Sequence, residues 1–460
     1  MYYINFKMFK YICDIYLEFQ KLTSERRFTE LEFYLKNISY YCLTFIGLNH
    51  LSQKEFNKAK KYFEICEQID PCNWETQVNL SNVYYKLKNY EKALLYVNRA
   101  LSCPNGITDD TLYNLAVINC EVHNYKDGLN YYKKLIELNP NHLMGIYNYA
   151  SELLKNKNFE EGWNLYEKRF DRFENLKKIK NEFSDMKFWN GEDLNNKTIM
   201  LFNEQGSGDF FHFIRFSKNL KSLGAKVIVL ANENLKSILS KVNLCDEIIS
   251  DQNNYEKNKN RIDYVISVCS LPYALKINDK KDFWKENYIN IKDKLEIKND
   301  KLNVGISFFG SHLHPYDWKR SIKFSYFKNL EDLNCNFYLL QKFANHKRIW
   351  EDVAVDLLDA EINQSWINLD DYLKTFYECA VVINSLDLIV TVDTSIAHLA
   401  GAMGKKTFLL LDYNNDWRWG IDEKITEWYP SIEIIRQKEL NFDWNYVIDQ
   451  VKEKIKDLID

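Results

Sequence analysis

The chain has 460 residues, with 61 Lys and Arg against 65 Asp and Glu and a formal net charge of −4. That balance excludes general electrostatic binding of nucleic acid, which depends on neutralising phosphates, so any anion site must be local. The length suits about three compact units, and 28 Phe, 31 Tyr and 11 Trp supply apolar material for several cores. Six Pro and 14 Gly favour long helices over turn-rich β architecture. The ten Cys are scattered singly with no Cys-x-x-Cys pair. They read as buried free thiols in a reducing compartment, not as a zinc or redox motif.

In chain order, Met1–Phe19 is apolar and aromatic but is interrupted by Lys7, Lys10 and Asp14. It falls short of the ~18 uncharged residues of a membrane span, and no small-residue cleavage site follows it. The expectation is a helical segment over residues 1–39 and a cytoplasmic protein without a transmembrane segment. Next come four related segments: Phe56-Asn-Lys-Ala59, Tyr90-Glu-Lys-Ala93, Tyr125-Lys-Asp-Gly128 and Phe159-Glu-Glu-Gly162. Their small residues are spaced by 34, 35 and 34 positions, and Pro71, Pro104 and Pro140 follow the first three. An aromatic starts the second helix of each hairpin, the small residue lets the first helix approach, and Pro ends the second helix. Ala93, Tyr96, Val97, Ala100 and Leu101 form one apolar helical stripe.

This pattern resembles the tetratricopeptide repeat family, with three clear repeats and a divergent fourth over residues 40–175. Such arrays stack into a curved superhelix whose concave face binds a peptide or partner protein. A scaffold or dimerisation surface is the alternative.

Residues 176–197 are polar and charged and read as a connector, with Lys177, Lys178 and Lys180 on a solvated face. The hydrophobic period then changes. Thr198–Phe202 is a strand, Asn203–Asp209 a glycine-bearing loop, Phe210–Leu223 a helix stopped by Gly224, and Lys226–Ala231 a second strand. That βαβ order implies a parallel sheet. Gly206 and Gly208 lie where the strand turns into its helix, so a ligand could approach backbone N–H groups there. Structural glycines with Asp209 as a helix cap are the alternative. No third glycine completes a dinucleotide fingerprint.

Leu302–Phe308 is another strand. The loop after it holds His312, His314, Asp317, Lys319 and Arg320, and its cations suit a diphosphate; an exposed polar loop is the alternative. Asn336–Leu340 and Ala360–Ile367 read as strands or edges, and Leu369–Leu386 as helical. Leu388–Val392 is the most apolar strand, as expected of a buried parallel one. Asp393, Thr394 and Ser395 follow it, then a helix over Ile396–Met403 and a strand over Lys406–Leu411. Ligands of open α/β sheets bind at such carboxyl ends. Hydroxyls and free N–H groups suit a phosphate, Asp393 a sugar hydroxyl, and His398 faces the same end. Capping by Thr394 or Ser395, with His398 packed, is the alternative.

Glu204-Gln-Gly-Ser-Gly-Asp209, the loop Gly310–Ser321, the run Asp387–Gly404 and Asp416-Trp-Arg-Trp419 together resemble one family over residues 40–440. It is the tetratricopeptide-repeat proteins with a heptosyltransferase-like (glycosyltransferase family 9) domain. The resemblance implies an all-α repeat superhelix followed by an α/β GT-B domain of two Rossmann-like lobes, 198–298 and 299–440, then a C-terminal helix over 441–460. It implies inverting, metal-independent sugar transfer from a nucleotide-sugar to a protein or glycan acceptor, with no cofactor beyond the donor. Asp209 matches the proposed general base. Gln205, Gly206, Gly208, His314, Lys319, Arg320, Asp393, Thr394, Ser395 and His398 match the donor site. Consistent with a metal-free mechanism, no Asp-x-Asp pair occurs in the chain.

The chain departs from the family pattern at Phe308, at Ser311 and His312, and at Phe210 and Phe211. A repeat scaffold with a degenerate transferase domain is therefore the competing reading. Wide separation of Lys319 and Arg320 from Thr394 and Ser395, or Phe210 or Phe211 plugging the cleft, would favour it. A protein O-glycosyltransferase that joins such repeats to a different GT-B domain is a third reading.

Overall fold

The computed structural model describes residues 21, 28–250, 252–298, 300–311, 314, 317–342, 366–440 and 443–459. The opening helix expected over Met1–Phe19, His312, and all but the end of the strand expected over Ala360–Ile367 lie outside them. The chain divides into two compact units, Met1–Gly145 and Ile146–Asp460.

In the first unit, helical hairpins pair Phe28–Ser52 with Phe56–Ile69, Trp74–Lys86 with Tyr90–Ser102, and Asp109–Glu121 with Tyr125–Leu138. Each second helix starts on the aromatic read from the sequence and ends two residues before Pro71, Pro104 or Pro140. Each first helix closes on a left-handed residue: Lys54, Lys88 and His123 have φ of 61°, 62° and 62°. The residue after it bonds back across the last turn, as Asn89 N–H does to Tyr84 O at 2.9 Å. This is a Schellman closure made without glycine.

The core of the unit is Ala59, Phe63, Leu80, Val83, Ala93, Val97, Leu115 and Ile118. Gly128 occupies the same repeat position as Ala59 and Ala93. A Cβ there would lie 2.3 Å from Cys120 Sγ and 3.1 Å from the Ala116 carbonyl. Gly128→Leu is therefore expected to cost about 1–3 kcal/mol by overpacking, read as a lower urea midpoint with an unchanged slope.

The second unit holds two all-parallel sheets. The first contains β1 (Thr198–Phe202), β2 (Lys226–Leu230), β3 (Glu247–Ile249) and β4 (Tyr264–Ser267) in the order β3-β2-β1-β4. The second contains β5 (Leu302–Ser307), β6 (Cys335–Leu339), β7 (Trp366–Asn368), β8 (Leu388–Val392), β9 (Thr407–Leu411) and β10 (Ile432–Arg436). Their order is β10-β9-β8-β5-β6-β7. These are the two Rossmann-like sheets expected. Strand order reverses between β1 and β4 and between β5 and β8, which opens a crevice at the carboxyl ends there. β5 and β8 pair from Val304 with Leu388 to Ser307 with Thr391. The C-terminal helix Asn445–Ile459 covers one face of the second sheet through Val447, Ile448, Val451 and Ile455.

Three expectations change. The segment read as a connector folds as the helix Glu174–Glu182, anchored by buried Leu176. Phe183 then packs with Met200, Phe202 and Tyr255, while Lys177, Lys178 and Lys180 stay exposed. The helix after β1 starts earlier, at Ser207, and breaks at a 3-10 turn over Ile214–Phe216. At the break, buried Arg215 donates from Nε to the His212 carbonyl at 2.7 Å. Leu369–Leu386 is one 3-10 turn and then the helix Phe376–Ser385, restarted by a capping box of Thr375 and Glu378.

The fourth hairpin, Leu143–Lys155 and Phe159–Tyr166, lies from Ile146 onward in the second unit. Trp163 Nε1 donates to the Ile277 carbonyl at 2.8 Å, and its ring meets Trp417 edge-on at 5.3 Å. Lys155 Nζ donates to the Asn415 carbonyl at 2.8 Å. Among the described residues, no helix is long and apolar enough to cross a membrane.

Candidate functional site

β1 delivers the chain at Phe202 into the turn that carries Gly206, and the helix Ser207–Phe213 begins there. Asp209, in the first turn of that helix, folds back so that its Oδ2 accepts the Gly206 N–H at 3.0 Å. Its Oδ1 accepts from Arg418 Nη2, and the side chain is 21% exposed. Burial pushes the Asp209 carboxyl above its ordinary range; Arg418 opposes that shift. The carboxylate thus caps the turn, as the alternative reading allowed, and remains open to solvent.

β8 delivers Asp393–Ser395. Thr394 is the N-cap of the helix Ser395–Ala402, but its side chain makes no capping hydrogen bond; its hydroxyl lies 3.4 Å from that of Thr391. Thr394 therefore does not cap the helix through its hydroxyl, while His398 is packed as that alternative had it. His398 is buried and shares its Nδ1 with the Tyr429 hydroxyl at 3.0 Å. Its Nε2 lies 4.0 Å from Asp393 Oδ1, and its ring stacks on Trp419 at 4.9 Å. Burial, reinforced by Arg418, holds its pKa well below the usual imidazole value. His212, on the helix after β1, meets the same Tyr429 hydroxyl at 3.2 Å.

The two helix starts touch. A Cβ on Gly208 would lie 2.9 Å from His398 Cδ2 and 3.6 Å from Ser395 Cα. Glycine is needed there for close approach of the two turns, and the contact brings Asp209 and the Asp393–His398 segment into one site. Asp393 is pushed up, first by burial and then by Asp416. Burial also pushes Asp416 upward, but Arg418 outweighs it and holds this carboxyl low.

Arg320 is tied at two points. Its Nε donates to Asp317 Oδ1 at 2.8 Å and its Nη1 to the Asp393 carbonyl at 2.7 Å. Asp317 also accepts from the Ser321 hydroxyl at 2.9 Å. The arginine braces the loop after β5 against the end of β8, and two of its donors are spent doing so. Lys319 is buried, with Nζ 5.6 Å from the centre of the Trp318 ring. His314 sits on the exposed turn before Asp317, whose N–H donates to the His314 carbonyl at 3.0 Å. The Gln205 side chain is turned to the Tyr166 hydroxyl, with Nε2 at 3.0 Å. Phe210 and Phe211 are fully buried in the core with Trp163 and Ala397, and so do not plug the site.

The tetratricopeptide repeat model matches residues 75–102. No curated protein sequence matches the chain significantly. Among solved structures, a glycosyltransferase family 9 protein from Veillonella parvula is similar at TM-score 0.44 and 12% identity, over 59% of this chain and 99% of that one. The E. coli ADP-heptose lps heptosyltransferase II is similar at TM-score 0.42 and 13% identity, over 57% and 98%. The first TPR domain of human RPAP3 gives TM-score 0.24 and 17% identity, over 25% and 88%. None of these likenesses carries an argument about activity.

Sequence reasoning left out several residues of the site. Arg418 and Asp416 stand in the run Asp416-Trp-Arg-Trp419, whose compact mixture of charge and aromatic rings was the available signal. Glu204 opens the run Glu204–Asp209, whereas Arg169 had no such signal. Arg169 is fully buried; its Nε donates to Glu204 Oε1 at 2.5 Å, its Nη1 to Glu167 Oε1 and its Nη2 to the Ser270 hydroxyl at 2.6 Å each. That network pins the start of the loop after β1 from below. Among the described residues, no group of three or more His, Cys, Asp or Glu is placed to hold a metal ion.

Proposed function

We propose that the second unit is an inverting, metal-independent glycosyltransferase that moves a sugar from a nucleotide-sugar to a protein or glycan acceptor. The observation that carries this reading is the contact of Gly208 with His398 and Ser395. It sets a solvent-accessible carboxylate beside an uncapped helix start at the carboxyl ends of two parallel sheets. Asp209 takes the proton of the acceptor hydroxyl as the new C–O bond forms on the face opposite the leaving group. The bond from the anomeric carbon to the donor phosphate breaks, and the nucleoside diphosphate leaves with the electron pair. Free N–H groups at the start of the helix Ser395–Ala402, with the Thr394 and Ser395 hydroxyls, stabilise the departing charge. Asp393 suits a ribose or sugar hydroxyl. In this proposal the helical repeats bind the acceptor or a partner protein, and the protein acts in the cytoplasm.

Isothermal titration of the full chain with UDP-, GDP- and ADP-sugars tests the reading, followed by an assay for nucleotide release. At least one donor is expected to bind and turn over slowly by hydrolysis; failure of all of them to bind would sink the proposal. The scaffold alternative is disfavoured on two observations: Arg320 reaches Asp393, and Phe210 and Phe211 lie in the core.

A further inference from the structure

Arg418 is a buried cation with an unfinished hydrogen-bond set. Its side chain is 8% exposed. Nη1 donates to Asp416 Oδ1 at 2.8 Å, and Nη2 donates to Asp209 Oδ1. Nε is buried and has no partner. The guanidinium lies over the Trp417 ring at 4.3 Å and near Phe213 at 5.6 Å, so its plane is held by packing. Asp416 is fixed in turn, because its Oδ1 also accepts the Arg418 N–H at 3.0 Å.

Nε–H and Nη2–H of an arginine share one edge and form a fork that matches two oxygens of a carboxylate or phosphate. Asp209 uses only the Nη2 half of that fork, because its other oxygen is committed to the Gly206 N–H. A buried donor without a partner carries a desolvation cost, and a ligand supplying two oxygens to the same edge removes it. Arg320 cannot offer the same edge, since its Nε is on Asp317 and its Nη1 on the Asp393 carbonyl.

We propose that Arg418 is the cation that receives the diphosphate of an incoming ligand, and that the diphosphate and Asp209 compete for its Nε/Nη2 edge. The ligand class follows from the transferase reading above; the competition itself does not depend on it. When the diphosphate takes the fork, Asp209 Oδ1 is released and gains proton affinity. The carboxylate therefore becomes an effective base only once the anion is in place.

The test is a double-mutant cycle on the full chain, titrated calorimetrically with inorganic pyrophosphate at fixed pH and salt. Wild type is expected to bind. Arg418→Ala is expected to bind about tenfold more weakly, the worth of one charge-assisted contact. Asp209→Asn is expected to bind about fivefold more tightly by freeing the guanidinium. That gain should vanish in the Asp209→Asn, Arg418→Ala double variant. Absence of binding to folded wild type overturns the proposal. So does an Asp209→Asn gain that persists undiminished in the double variant, since plain charge repulsion would then explain it. If Arg418→Ala does not fold by circular dichroism, Arg418→Lys takes its place in the cycle: it keeps the charge and loses the fork, so it should bind more weakly and shrink the gain. Binding by Arg418→Lys equal to wild type also overturns the proposal. If no nucleotide-sugar binds but the cycle shows coupling, the transferase reading fails and the Arg418 anion site stands. If a nucleotide-sugar binds wild type and Arg418→Ala equally, the transferase reading stands and the Arg418 site fails.

Discussion

Asp209→Asn is expected to abolish the proposed sugar transfer, lowering kcat by about 10²–10⁴-fold, the usual contribution of a positioned base, while the donor still binds. Asparagine keeps the shape and can still accept the Gly206 N–H, so the turn that begins the helix Ser207–Phe213 should survive. What it lacks is a place for the acceptor proton. The pH dependence carries a sign. The base works only when deprotonated, and burial holds the Asp209 carboxyl above the ordinary aspartate range. Activity should therefore fall on acidification at a higher pH than an unperturbed aspartate would give. The acidic limb should disappear from whatever residual turnover Asp209→Asn retains. Steady-state kinetics across pH on both proteins, with donor binding measured separately, check this. Wild-type turnover in the variant would remove Asp209 from the role of base.

Arg169→Ala destabilises the second unit by about 3–5 kcal/mol, the range for breaking a buried pair from one side. The arginine is fully buried, and its guanidinium lies 4.8 Å from the centre of the Tyr166 ring and 4.4 Å from that of Phe170. Its partner Glu204 has a fully buried side chain, and Glu204 Oε2 has no hydrogen-bond partner already. Removing Arg169 strands that carboxylate in the interior, next to the loop that carries Asp209. Arg169→Met combined with Glu204→Leu should recover most of the loss, because an apolar pair of similar volume replaces the ion pair at little or no cost. Urea denaturation of the single and double variants reads both effects. Equal loss in the two would show that packing, not the stranded charge, dominates.

Much of the architecture was legible in the sequence because it is written in local patterns. The repeat period, the aromatic starts and the prolines act within one hairpin, so Tyr90–Ser102 and Tyr125–Leu138 begin where they were read. β1 and β8 were equally clear as apolar runs between turn residues, and Asp393–Ser395 followed as a strand end meeting a helix start. The turns between repeat helices were not legible. Lys54, Lys88 and His123 take left-handed backbone where glycine is the usual signal. The helix Glu174–Glu182 was hidden for a related reason: its polar face dominates its composition, and a few apolar anchors, Leu176 and Phe183, decide its place.

By itself, the sequence determined the succession of repeats and parallel sheets and the two segments, Gly206–Asp209 and Asp393–His398, that meet. Each depends on residues a few positions apart, whose spacing dictates helix, strand or turn. Tertiary structure alone decided which distant groups Arg320 and Arg418 meet. Arg320, expected to hold phosphate, donates from Nε to Asp317 and from Nη1 to the Asp393 carbonyl. Arg418 instead reaches Asp209 across 209 positions of sequence. The physical reason is that an arginine's role is set by the acceptors around its donors, and the Asp393 carbonyl and Asp209 come to these two arginines across 73 and 209 positions that no local pattern connects.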